Sequence, residues 1–306
     1  MTEDFHLVIN GRQAWSRVAP RLNGETVMIP LRVVVESCGG IVEYLPGSPS
    51  GAVASLDGRR SELSVGSVEA RVASRPVSLP VPPAIVDDTL LVPAEALRPL
   101  GIAVEVYDSA RACLCASRNS RLAGRRIFLD PGHGGSDPGA IGSRGMREAR
   151  MTLDVAQKCV RLLTLAGATP FLSRTTDRSV SLATRVTTAQ SCRAQAFLSI
   201  HGNSFSEPWA HGTETYYFEF RESQRLAALV QQELVSELGL TDRGVKEASF
   251  YVLRHARMPA CLAELAFLSN PQEEELLSDP WFRLKAAMAL FRGLRGFVES
   301  GAGGQR

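Results

Sequence analysis

The sequence lacks any run of apolar residues long enough to cross a membrane, for which a helix needs about 20 in succession. It also lacks a visible signal peptide. "MTEDFHLVIN" opens on acidic residues, with neither a basic start nor a long apolar stretch. No CxxC pair occurs. The six cysteines, Cys38, Cys113, Cys115, Cys159, Cys192 and Cys261, are scattered and mostly sit in apolar patterns. That placement suits small buried apolar groups better than a disulfide framework or a cysteine metal site. An excess of charge of one sign is missing too. The formal net charge of +2 is too small to argue for a nucleic-acid partner, and an anionic polymer is permitted but not required.

What remains is an ordinary globular composition, 44% apolar and 22% charged. A chain of 306 residues can hold two domains. Its first part reads as short strands. "FHLVINGR", "SVEARVASRPV" and "IAVEVYD" alternate, and Asn10-Gly11, Asn23-Gly24 and Asp57-Gly58 mark turns between runs. "PVSLPVPP" suits an edge or a loop. A weak internal repeat is present: "NGETVMIPLRVVVESCGGIVEY" is echoed by "VDDTLLVPAEALRPLGIAVEV". Pro30 and Pro93 take equivalent places at helix starts, where a missing N–H costs nothing.

On that repeat and its "NG…P" signature, the segment resembles the copper amine oxidase N-terminal-like domain, a small α+β module. Its one histidine is His6 and it has no metal-ligand cluster, so copper is not carried over with the family name. The expected role is an accessory or binding module, with a cell-wall or protein partner.

The polar, basic "SRNSRLAGRR" reads as a joint, after which strands and helices alternate. The expected division is an accessory α+β domain over 1–118, a linker over 119–125 and a catalytic domain over 126–301. "RRIFLD", "TPFLSR", "AQAFLSI", "TETYYFEF" and "ACLAELAFL" read as strands. "LATRVTTAQSCR", "ESQRLAALVQQELVSELG" and the tail from Asp279 read as helices. In "REARMTLDVAQKCVRLLTLAG", Met151, Val155, Cys159, Leu162, Leu163 and Ala166 fall on one helical face, and Gly167 ends the helix. The fold class is α/β: an open, largely parallel twisted sheet with helices on both faces, preceded by a small α+β domain with short strands. Sites in such sheets lie beyond the carboxyl ends of the strands.

"LDPGHGGSDPG" follows the first of those strands. It lacks the third glycine of GxGxxG and the GK[ST] of a P-loop, which argues against a phosphate cradle. A metal reading is open. His133 and His201 each lie just past a strand, and Glu148 opens a helix. Two histidines and a carboxylate can form a three-ligand zinc site with its fourth position left for water. Glu264 lies inside "ACLAELAFL", where a carboxylate is costly to bury without a partner, and such a group can act as general base and acid. Plainer readings stand beside this one. A histidine at a strand end can be a surface residue, Glu148 suits the helix dipole, and Glu264 could pair with an arginine.

Four motifs, in order, carry a family resemblance: "LDPGHGGSDPGA", "MREARMTLDVA", "SIHGNS" and "MPACLAELAFLSN". From Arg126 to about Gly301 the chain resembles zinc-dependent N-acetylmuramoyl-L-alanine amidases of the amidase-3 type. "SRTTDRSVSLATRVTTAQ", "GTETYYF" and "DRGVKEASFYVLR" support the likeness. The resemblance implies one zinc ion per catalytic domain, held by His133, Glu148 and His201, with Glu264 as catalytic base and acid. It implies hydrolysis of the amide between N-acetylmuramic acid and L-alanine of the stem peptide, with peptidoglycan as partner and the cell wall or extracellular space as the place of action. Another zinc peptidase or deacetylase of the wall, or a non-catalytic peptidoglycan-binding protein, are the alternatives.

Arg174, Asp177 and Arg185 are expected to order loop and helix by ion pairs, and the aspartates of the opening motif to hold the loop and not the metal. Asn203 is expected to hold a ligand or a loop. His255 is either substrate-facing or a surface residue, and His211 is expected to be a plain loop histidine. Some relatives of this type place a long inhibitory helix in the catalytic domain; the interval from His201 to Thr213 is short and shows no extra segment of that length, so the site is expected to be open without an activator.

Overall fold

The computed structural model describes residues 5–47, 50–107, 110–117 and 121–301. The chain divides into two compact units, Met1–Ser120 and Arg121–Arg306. No described helix is long and apolar enough to cross a membrane.

The first unit is built of short strands. They are β1 (His6–Ile9), β2 (Arg12–Ala14), β3 (Arg21–Asn23), β4 (Thr26–Pro30), β5 (Ile41–Leu45), β6 (Gly51–Leu56) and β7 (Arg59–Ser64). There follow β8 (Glu69–Val72), β9 (Arg75–Ser78), β10 (Ala84–Val86), β11 (Thr89–Pro93), β12 (Ile102–Tyr107) and β13 (Ala112–Ser117). Helix α1 (Leu31–Ser37) follows β4, and a 3-10 helix (Ala94–Leu100) follows β11. The sheets run β12-β13-β1-β2, β10-β11-β4-β3 and β5-β6-β7-β8-β9.

The two repeat copies meet here. β4 and β11 pair antiparallel, with Pro30 opposite Leu91 and Pro93 opposite Met28. Each proline precedes its helix as expected. The helices differ in that the second contains Pro99, which has no N–H to donate and disfavours an α-helix. Ile29, Leu31, Val34, Val92, Leu97 and Leu100 form the heart of this unit's core.

The second unit alternates strands and helices: β14 (Arg126–Pro131), α2 (Glu148–Leu165), β15 (Thr169–Leu172), α3 (Leu182–Ser191), β16 (Ala196–Asn203) and β17 (Thr213–Tyr217). Then come α4 (Arg221–Leu238), β18 (Asp242–Glu247), α5 (Tyr251–Arg254), β19 (Ala260–Phe267), α6 (Pro271–Ser278) and α7 (Pro280–Glu299). The sheet order is β15-β14-β16-β19-β17-β18. Every pairing is parallel except β17 with β19. Leu122 is buried and Gly124 donates to the Gly167 carbonyl, so the described end of the expected joint is folded into this unit. Residues 118–120 lie outside the described residues.

Strand alternation assigns the faces. Phe128, Phe197 and Leu262 pack with Val186 of α3 and Val252 and Leu253 of α5. Helices α2 and α4 cover the other face, and α7 packs against both of them. Continuing the alternation, Asp130, His201 and Glu264 share the α3/α5 face, at the carboxyl ends of β14, β16 and β19. Glu214 and Tyr216 of β17 share it too. Three elements are not read from the sequence as such: β18, the one-turn helix α5 and α6. β18 carries charges and a glycine at φ +82°, Gly244, which hide the alternation. α6 is short, although Asn270 caps it and Pro271 opens it.

Candidate metal centre

Three sequence-distant side chains converge at this edge. Loop 132–147 carries His133, the first residue of α2 is Glu148, and His201 lies within β16, not past its end as expected. His133 Nε2 is 3.1 Å from Glu148 Oε1, and His201 Nδ1 is 2.9 Å from the same oxygen. One ligating atom from each residue lies within 4.8 Å of the others. The two rings meet edge to face at 5.0 Å. Glu148 is also fixed by the backbone: Ala140 N donates to Oε2 at 2.8 Å and Gly202 N to Oε1 at 3.0 Å.

The local chain is shaped around these groups. A Cβ on Gly132 would stand 2.2 Å from the His201 ring, and one on Gly139 would stand 2.5 Å from Glu148 Oε2. His133 itself has φ +60°, an uncommon backbone for a non-glycine residue. Buried guanidinium groups hold that loop. Arg174 donates to the carbonyls of Pro131, Gly132 and Ala149. Arg185 pairs with Asp130 at 2.7 Å and donates to the carbonyls of Pro131 and His133. Asp177 accepts from Gly135 N at 2.8 Å. The expected ordering role thus holds in geometry, but by backbone hydrogen bonds for Arg174 and Asp177 and by an ion pair for Arg185.

Glu264 sits opposite His201 in the β16–β19 register. Its Oε2 is buried and has no hydrogen-bond partner among the described residues. Burial raises its pKa to about 7; His201 works against the rise, and Glu148 and Glu214 add to it. Without an ion, hydrogen bonding to Glu148 raises His133 to about 9. At His201 burial opposes the charged ring, yet Glu148 and Glu264 outweigh it and raise the pKa. Burial likewise works against the Glu148 carboxylate, but the two histidines hold its pKa far below the usual range.

A cavity of about 410 Å³ opens over these residues. Its apolar wall is Val180, Leu182, Phe250, Tyr251 and Leu262. Loop 204–212, which joins β16 to β17, contains no helix. It is pinned where Phe205 N donates to Ser269 Oγ and Gly212 N to Glu273 Oε1.

Asn203 donates to Glu214 Oε1 at 2.6 Å, so it holds a neighbouring carboxylate. His255 is exposed and packs on Tyr251, with ring centroids 4.3 Å apart. His211 donates locally, from Nδ1 to the Trp209 carbonyl at 2.8 Å. Sequence reasoning missed Glu214 as a hub: it takes Asn203, Tyr216 Oη at 2.7 Å, Arg243 at 2.8 Å and Lys246. Its signal in the sequence is slight, because its strand, TETYY, is made of threonines and tyrosines and is no apolar run.

The donor set fits a metal. It offers two imidazoles and a carboxylate, glycines where a Cβ would fill the cradle, and an unpartnered carboxylate oxygen alongside. Among the described residues this is the one His/Cys/Asp/Glu cluster with atoms close enough to share an ion, and it lies in the second unit.

Residues 8–114 match the family described as copper amine oxidase N-terminal domain, and residues 127–296 the family described as N-acetylmuramoyl-L-alanine amidase. The chain is 42% identical over 175 residues to the N-acetylmuramoyl-L-alanine amidase LytC of Bacillus subtilis, covering 56% of this chain but 35% of LytC. It is 39% identical over 188 residues to YqiI of the same organism, an uncharacterised protein, covering 60% of this chain and 90% of YqiI. Among solved structures, the catalytic domain of the amidase CwlV from Bacillus (Paenibacillus) polymyxa var. colistinus aligns with TM-score 0.56 and 34% identity, over 57% of this chain and 98% of that one. An N-acetylmuramoyl-L-alanine amidase from Clostridium difficile 630 aligns with TM-score 0.57 and 33% identity, over 58% of this chain and 98% of that one. The family match spans more than half of the residues, and the chain belongs to the N-acetylmuramoyl-L-alanine amidase family.

Proposed function

We propose that this chain is a zinc-dependent peptidoglycan hydrolase. It would cleave the amide between the lactyl group of N-acetylmuramic acid and L-alanine of the stem peptide. The observation that carries the proposal is the convergence of His133, Glu148 and His201 next to the buried, unpartnered Oε2 of Glu264. These three residues would hold the ion. A zinc ion bound there supplies Lewis acidity toward the scissile carbonyl and the charge that develops on its oxygen.

The rest of the chemistry falls to the chain's own groups. Glu264 Oε2 accepts a proton from the attacking water as its oxygen bonds to the lactyl carbonyl carbon. It then returns that proton to the alanine nitrogen as the C–N bond breaks. A pKa near 7 suits a group that must both take and give a proton near neutrality. The wall of Val180, Leu182, Phe250 and Tyr251 offers the substrate an apolar surface to lie against.

The place of action is the cell wall, where the substrate is. The first unit serves as an accessory module for the wall or a protein partner. Chelation followed by zinc addition tests the metal requirement, and loss of muropeptide cleavage with zinc-restored recovery is expected. Product analysis tests the bond: an amidase frees an intact stem peptide with a new N-terminal alanine. Release of acetate, or of a shortened peptide, would replace this reading with a deacetylase or a peptidase. Metal-independent binding with no product would mark a non-catalytic wall binder.

A further inference from the structure

The His133 ring has a carboxylate at each nitrogen. Nε2 faces Glu148 Oε1 at 3.1 Å, and Nδ1 faces Asp137 Oδ2 at 2.8 Å. An imidazole that gives one nitrogen to a metal keeps its proton on the other. The group that accepts that proton sets the tautomer and the plane of the ring. We infer that Asp137 is a positioning residue of the metal centre: it accepts the Nδ1–H of His133 and so aims the Nε2 lone pair at the ion. This rests on the zinc reading above.

The geometry of Asp137 supports a built role. Its backbone is clamped to the loop, with Gly134 N donating to the Asp137 carbonyl at 2.7 Å and Asp137 N to the Gly134 carbonyl at 3.2 Å. Its second oxygen, Oδ1, accepts from Gly139 N at 3.0 Å. Gly139 in turn lies against Glu148. One carboxylate therefore fixes the ring of one ligand and the turn that packs on another. Both of its oxygens act as acceptors, which an amide cannot reproduce, since it has one acceptor oxygen.

The other two aspartates of the region act differently. Asp130 is buried and pairs with Arg185, and Asp177 accepts from Gly135 N. Both support loop backbone, and neither is recorded against the His133 ring. The Asp137 side chain is 63% exposed, so removing it buries no new unpaired charge, and the metal-free fold should tolerate the change.

The test uses the full chain, stripped of metal and titrated with zinc against a competing chromogenic chelator. Asp137→Ala and Asp137→Asn should each weaken zinc binding about 10- to 100-fold, while Asp88→Asn, at an exposed ion pair of the first unit, leaves it unchanged. Metal-free thermal midpoints matching wild type would show that the loss is not one of folding. Nitrogen-15 spectra of the zinc-loaded proteins read the ring directly. Wild type should show His133 protonated at Nδ1 with that proton strongly hydrogen-bonded, and Asp137→Ala should lose the hydrogen-bonded signature. Wild-type zinc affinity in Asp137→Ala would overturn this inference alone. Failure of the unsubstituted protein to bind zinc would overturn the zinc reading and this inference with it.

Discussion

Glu264 stands directly across from Glu214 in the antiparallel pairing of β17 with β19, and the two carboxylates are solvated in opposite ways. Glu214 is surrounded by donors from Asn203, Tyr216, Arg243 and Lys246. Glu264 keeps one oxygen without any among the described residues. Like charges placed opposite each other destabilise a sheet. Here the cations beside Glu214 balance one charge, and the raised pKa of Glu264 moderates the other.

Glu264→Gln should keep zinc and lose turnover. Removing a general base and acid costs about 10²- to 10⁴-fold, and the amide is close in shape. Metal content near one ion per chain, together with that loss in kcat, is the expected pair of results. Full activity in this variant would remove Glu264 from the mechanism.

Glu214→Leu should act on stability first. Burial works against its carboxylate, yet Lys246, Tyr216 and Arg243 hold its pKa down to about 2. The substitution leaves their donors and Asn203 without an acceptor. The expected loss is about 1–3 kcal/mol, read as a lower midpoint in denaturant at neutral pH. An unchanged midpoint would mean that the donors find other partners.

Metal-free protein should lose stability as the pH rises. His133 is raised from 6.5 to about 9, so its contribution is complete below about pH 6.5 and lost as the pH climbs through 9. Glu264 is raised from 4.5 to about 7, so its term is lost as the pH climbs through 7. Glu148, held low, runs the other way only below its ordinary value of 4.5. Thermal midpoints in chelator should therefore fall between about pH 5 and 9. The zinc-loaded protein should show less of that fall, because bound metal keeps its ligands deprotonated. A flat profile in chelator would contradict these assignments.

Gly132→Ala should uncouple fold from metal. The new Cβ would meet the His201 ring at 2.2 Å, and the ring must turn away. Zinc affinity should drop at least about tenfold, on the scale of losing support for a ligand, with the far-ultraviolet circular dichroism spectrum preserved. Wild-type affinity would show that the ring has room to shift without cost.

The alternation of strands and helices in the second unit is legible because its strands are buried runs and its long helices carry apolar stripes. β18 is not legible, because its residues DRGVKE are half-exposed and charged and Gly244 breaks the period. His133, His201 and Glu264 stand out as polar groups in apolar or glycine-rich settings, whereas Glu148, between Arg147 and Arg150, is singled out only by opening a helix and by the family resemblance. Asp137 does not stand out in the same way. In the sequence it is one of two aspartates in a turn, and its contact with a ring four residues away depends on the left-handed backbone at His133. Glu214 is missed for a related reason. Arg243 and Lys246 reach it from β18, an element the sequence does not announce.

Loop 204–212 has one further consequence. It leaves the strand that carries His201 and enters the sheet's lone antiparallel pairing at the strand that carries Glu214. Both of its ends are anchored to residues 269–273. It is therefore a natural place for sequence to be inserted. A segment spliced between those anchors would emerge at the carboxyl end of β16, the strand that carries His201, and leave the strand register untouched.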